Sequence, residues 1–174
     1  PPPSVSAPIS LTTTLAPFTT RPSFTELSRL PLMERCAALA DPARKAKILA
    51  EETGRGFARL YNLMDEGRKI WLMSDPPNYE PDPKDSLYAQ AMQRGLDPWS
   101  YIYDVLLQNN GTNLLYTPFA NYAEDNLDCC RDMILHKDTV MGLGDGGAHV
   151  GTICDASFIT TLITHWGRDR TRGE

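Results

Sequence analysis

Apolar positions recur at helical spacing through much of the first hundred residues and gather into short continuous runs further on. ISLTTTL (9–15) is short and β-branched and predicts a strand. Residues 24–53 read as helical. Ser23 is the expected N-cap of a short helix through Leu30, and Pro31 opens a second helix with Leu32, Cys36 and Leu39 on one face. Asp41-Pro42 restarts the chain as cap and first helical residue, and DPARKAKILAEE runs on to Gly54. No strand follows promptly, so residues 22–56 read as a helical insertion, with Arg44, Lys45 and Lys47 on a solvated face.

KIWLM (69–73) has strand character, and SDPPNYEPDP (74–83) must be an extended loop carrying Asp75, Tyr79 and Glu80. Asp85 is the expected cap of a helix through Arg94 that Gly95 ends. Asp97-Pro98 starts the next, which turns Ile102, Val105 and Leu106 inward and closes at Asn109-Asn110-Gly111. From 113 the pattern becomes β-α-β. A buried strand at 113–117 is followed by a helix at about 124–136, with Leu127, Cys130 and Ile134 on one face, and then by a strand at 139–143. About 20 residues separate the two strands, enough for one crossover helix, so they are expected to lie parallel and end on one rim. Asn121, Tyr122 and Asp145 would gather there. A last helix is predicted from Ser157 to about Trp166, ahead of the charged GRDRTRGE.

The 174 residues have room for one domain with a proper core. The net charge of −5 argues against nucleic acid or an anionic membrane as partner. No apolar run approaches the roughly 18 residues of a membrane helix, and PPPSVSAPISL lacks the features of a signal peptide. The four cysteines include no C-x-x-C pair, which fits reduced thiols in a cytoplasmic protein, with Cys130 packed as a small hydrophobe.

The sharpest chemical feature is TVMGLGDGGAHVG (139–151). Asp145 stands where an apolar run breaks into glycines, and His149 follows four residues on. Three readings compete. Asp145 could be an acid in a solvated turn. Gly142, Gly144 and Gly147 also fit G-x-G-x-x-G, but Asp145 would repel a pyrophosphate, and no second strand ends in an acid where a dinucleotide fold needs one. The third reading is a catalytic or metal-associated carboxylate at the lip of a buried strand.

GLGDGGAHVGTICDASFITTLITHWGRDR (142–170), with residues 74–107 and 114–142 and more weakly 12–35, resembles the D-aminoacylase-type amidohydrolases, the N-acyl-D-amino-acid deacylases. The resemblance implies an α/β fold: the last strands of a (β/α)8 TIM barrel with a helical insertion, truncated at both ends, its partner being the remainder of the barrel. It implies a zinc-dependent hydrolase that deacylates N-acyl-D-amino acids. Zinc lowers the pKa of its bound water to about 7, and a nearby carboxylate relays the proton. By match of motif that carboxylate is Asp145, which would also be a weak second-metal ligand. His149, Asn121, Tyr122 and Arg21 become candidate substrate contacts, Arg21 because a guanidinium grips a carboxylate bidentately. Another amidohydrolase, such as a cyclic-amide hydrolase, and a non-catalytic α/β domain are the alternatives.

The family's H-x-H pair has no counterpart here, and the three histidines are scattered. His136 reads as a helix C-terminal cation, and His165, late in the last helix, as a residue that packs or snorkels. The other zinc ligands are therefore expected outside this chain. Titrating the isolated 174 residues with zinc should reveal no tight stoichiometric site.

Overall fold

The computed structural model describes residues 6–11, 16–52, 67–118, 120–140 and 158–172. They are mainly helical, with one small sheet of strand order β1-β3-β2, where β1 is Ser6–Ile9, β2 Trp71–Leu72 and β3 Leu115–Pro118. β2 runs antiparallel to β3, in the register Trp71↔Tyr116 and Leu72↔Leu115. The expected barrel is therefore corrected. Barrel strands are parallel neighbours in a closed sheet, whereas β3 has an antiparallel neighbour in an open one. Thr139 and Val140, expected to begin the second strand of a parallel pair, are not in a strand, and 141–143 lie outside the described residues. Of the strand expected at 9–15, Ile9 ends β1, Ser10 and Leu11 are not in a strand, and 12–15 lie outside the described residues.

The chain divides into two compact units, one of Pro8–Thr117 and one of Pro1–Ala7 with Pro118–Glu174. In the first, α1 (Pro22–Thr25), α2 (Leu32–Leu39) and α3 (Pro42–Ala50) precede α4 (Leu87–Gln93) and α5 (Pro98–Gly111). Asp41 caps α3 as expected, accepting from the Ala43 N–H at 3.0 Å. The helix ends at Ala50, short of Gly54, because Glu51 turns extended. Ser86, not Asp85, caps α4, accepting from the Ala89 N–H at 3.1 Å, and Asp82 caps the 3-10 turn Pro83–Asp85 before it. Gly95 sits at φ 67° and donates to Met92 O, while the Leu96 N–H reaches Ala91 O at 2.9 Å. That double bond satisfies the final carbonyls of α4. Asp97 starts α5 through Ser100 N–H at 2.7 Å.

α5 packs against α2 and α4. Ile102, Tyr103, Val105 and Leu106 are buried, as the spacing predicts, with Phe18 fully enclosed. The Phe18 ring lies 5.3 Å from Tyr103, 5.9 Å from Phe24 and 6.2 Å from Trp99, tilted or edge-on as aromatic quadrupoles prefer. Tyr103 Oη donates to Leu39 O at 2.8 Å and so closes α2 onto α5. Burial raises the pKa of this phenol. Arg44 and Lys45 are half-buried rather than fully solvated, and Lys45 Nζ reaches Asp104 at 2.7 Å. The Arg35 guanidinium collects the carbonyls of Leu11, Leu27, Ser28 and Leu30.

Gln108 leaves the helix at ψ 159°, and Asn109, Asn110 and Gly111 are all left-handed, at φ 52°, 56° and 73°. Asn109 Nδ2 donates to Asn113 Oδ1 at 2.8 Å, and Asn113 Nδ2 to Val105 O at 2.7 Å, which satisfies an end carbonyl of α5. A Cβ at Gly111 would overlap Cys36 Sγ and come within 2.9 Å of Leu11 Cδ1.

In the second unit, Leu127 just before α6 (Asp128–Leu135) and Cys130 within it are buried, and Ile134 is half-buried. α7 (Phe158–Thr161) continues as a π-helix, Leu162–Asp169, whose spacing shows in the Arg170 N–H bond to His165 O at 2.7 Å. No helix among the described residues is long and apolar enough to cross a membrane.

Gly111→Ala should lower the unfolding free energy by about 2–4 kcal/mol, combining a left-handed alanine with an overpacked contact. Urea denaturation should show a lower midpoint at unchanged slope.

Candidate functional site

Asp145 and His149, on which the proton relay and the zinc expectation rest, lie outside the described residues, as do Thr12, Thr13 and Thr14. The other candidates fall in both units: Arg21 in Pro8–Thr117, Asn121 and Tyr122 in the other.

Arg21 precedes α1 and is buried. Its Nη1 donates to Ile48 O at 2.6 Å, and its guanidinium lies 5.1 Å from the centre of the Phe18 ring. The carbonyl belongs to the last turn of α3, where the helix dipole favours a cation. Nε is buried with no hydrogen-bond partner among the described residues. Burial pulls the guanidinium below the ordinary arginine value, and Glu51 and Asp97 oppose the shift.

Ser23, expected as a cap, is instead the second residue of α1. Its N–H donates to Glu51 Oε2 at 3.0 Å and its hydroxyl to Glu51 Oε1. A carboxylate from the end of α3 thus satisfies a free N–H at the start of α1, the task expected of Ser23. The hydrogen bond from the Ser23 hydroxyl, helped by the backbone one, holds the Glu51 carboxyl below its usual range.

Asn121 is half-buried and left-handed at φ 61°. Its carbonyl accepts from Cys129 Sγ at 3.3 Å and Cys130 Sγ at 4.0 Å. Tyr122 is buried, and its carbonyl accepts from the Asp125 N–H at 3.4 Å. Asn126 Oδ1 takes the Asp128 N–H at 2.8 Å and so starts α6. The Asp128 carboxylate is gripped by Arg170 Nη2 at 2.5 Å and by Arg172 Nε at 3.0 Å, and hydrogen bonds from Arg172 and Arg170 lower its pKa. Arg170 also lies 4.9 Å from the centre of the Trp166 ring. In the sequence GRDRTRGE stands only as a charged tail, and nothing near Arg170 or Arg172 points to Asp128, 42 and 44 residues earlier.

His136 stands at the C-terminal end of α6, where its Nδ1 accepts from the Asp138 N–H at 3.3 Å rather than donating to an end carbonyl. The His165 ring meets Trp166 edge-on at 5.2 Å, the packing that is one of the two roles expected of it. Asp75 is exposed. The Tyr79 ring meets Tyr116 at 6.0 Å and its carbonyl accepts from Tyr116 Oη at 3.1 Å, so the proline-rich loop is anchored to β3. Cys36, Cys129 and Cys130 are free thiols, and Cys130 is packed away as expected.

No protein-family model, no curated protein and no solved structure matches the chain. Among the described residues no group of three or more His, Cys, Asp or Glu side chains could hold a metal ion. Together with the helical fold and its open sheet, this overturns the resemblance to the D-aminoacylase family and with it the deacylase and wider amidohydrolase assignments. A barrel site needs ligands converging from parallel strand ends, and the strands found here do not supply that rim.

The Glu51 contact has a pH signature. Its folded pKa is depressed, so its contribution to stability is fully present above the ordinary carboxylate range and is lost as pH falls through the folded pKa. In Glu51→Gln, the acid-side loss of stability measured by urea midpoint against pH should be shallower than in the parent chain.

Proposed function

We propose that the chain is a protein-binding module whose contact surface is the C-terminal helix, and that the partner is a second copy of the chain. The observation that carries this reading is the exposure of Ile159 and Ile163, at 59% and 68%. They stand four residues apart at the junction of α7 and the π-helix, on one side. Arg170, at the foot of the same helix, is fastened to Asp128, so the ridge is carried on an anchored support. An amphipathic helix that offers i and i+4 anchors is a recurrent way to fill an apolar groove.

Covering the exposed fractions of both isoleucines on each of two copies is worth roughly 4–8 kcal/mol in all, against a cost of association of about 4–15 kcal/mol. That suits a weak, reversible contact. A two-fold arrangement sets the same ridge against itself and needs no other component. Leu135 and Val140, exposed at 67% and 90% in the same unit, are further apolar surface for such a contact to use.

The test is sedimentation equilibrium over a wide concentration range on the full chain and on Ile159→Ser/Ile163→Ser, with circular dichroism as the check on folding. The parent should self-associate and the folded double variant should stay monomeric. A parent that remains monomeric throughout, or a double variant that associates equally well, overturns the reading.

A further inference from the structure

The turn that closes α5 contains the dipeptide Asn110-Gly111. Asparagine followed by glycine is the pairing most prone to spontaneous deamidation, because the glycine nitrogen has no neighbouring side chain to hinder it. We propose that Asn110 is a deamidation site gated by the fold: closed in the native turn, and opened only when the turn comes away from α2.

The chemistry needs water alone. The Gly111 backbone nitrogen loses its proton and attacks Cγ of Asn110. A nitrogen–carbon bond forms, the bond from Cγ to Nδ2 breaks, and Nδ2 leaves as ammonia. Water then opens the five-membered imide at one of its two carbonyls. One product is aspartate in the original backbone; the other is isoaspartate, in which the backbone runs through the side-chain carbon. Nothing is oxidised or reduced, and asparagine plus water becomes acid plus ammonia.

Attack requires the Gly111 nitrogen to swing to the side of Cα that carries the Asn110 side chain. At ψ 34° it lies on the opposite side, so the native backbone holds the reacting atoms apart. Rotation about that bond is blocked from several directions. Gly111 is buried against Cys36, Leu11 and Leu32. Cys36 Sγ donates to Asn110 O at 3.5 Å, and the Thr112 N–H and hydroxyl both hold Asn109 O, at 3.2 and 2.7 Å. The Asn110 residue itself is exposed, so water reaches the amide once the turn yields. Asn109 shares the left-handed geometry, at ψ 41°, but the nitrogen that would attack it belongs to Asn110, which carries a side chain. Asn110 is therefore the residue selected.

The isoaspartate product does not re-form the native turn. Isoaspartate inserts an extra backbone carbon where Gly111 has no room to shift, and either product takes the net charge from −5 to −6 by replacing a neutral amide with a carboxylate. Deamidation at Asn110 is thus a one-way record of how often α2 and the turn have parted.

The full chain is incubated at mildly alkaline pH, once native and once in urea, and its peptides are mapped by mass spectrometry for loss of ammonia and for isoaspartate. Asn110 should convert first in urea, and roughly tenfold or more slowly in the native chain, since the reaction there waits on local opening. Cys36→Ala, which removes one wall of the seat, should speed native conversion without changing the rate in urea. Equal rates in native and unfolded chains, an earlier conversion at any other asparagine, or a Cys36→Ala chain as slow as the parent would overturn the proposal.

Discussion

Three left-handed residues in succession, Asn109, Asn110 and Gly111, connect α5 to the central strand. Left-handed backbone is costly for residues with a Cβ, and asparagine and glycine bear it best. The turn is held by its surroundings. Asn113 returns a hydrogen bond to the end of α5, and Gly111 sits in a seat formed by Cys36, Leu32 and Leu11. Because the turn reverses the chain so tightly, β3 begins only a few residues after α5 ends. One local conformation thus joins α2, α5, the chain near Leu11 and the sheet.

The helices are short, and helices of this length are marginal in isolation. Their ends are consequently tied to other elements. Arg35 gathers carbonyls from before and after α1, Arg21 meets the last turn of α3, and Glu51 satisfies the start of α1. Tyr103 closes α2 from α5. In the other unit, Asp128 joins the start of α6 to the residues after the last helix. Arginine suits such positions, since its planar fork offers five donors and can serve several carbonyls at once.

The TIM-barrel expectation failed at topology. A short strand, a helix and another apolar run fit β-α-β spacing, but spacing does not say which strand is the neighbour. β3 pairs with β2, more than 40 residues earlier, in the antiparallel sense. The motif that suggested a zinc-assisted hydrolase, around Asp145 and His149, belongs to residues outside those described, so the resemblance had no geometric support from the sheet.

Local chemistry was legible in the chain. Asp41-Pro42 and Asp97-Pro98 start helices, Gly95 and Asn109-Asn110-Gly111 end them, and the apolar face of α5 is the buried one. These features follow from forces that act within a few residues: a side-chain oxygen near a free N–H, or a missing Cβ where φ is positive. Tertiary structure alone decided that Ser86 rather than Asp85 caps α4, that Ser23 gives up its expected cap for Glu51, and that Arg21 turns inward to Ile48. Those choices depend on groups 20 or more residues apart or on competition between adjacent caps, and no local periodicity encodes either. They are settled only when packing determines which polar groups lose water and must find a partner inside the protein.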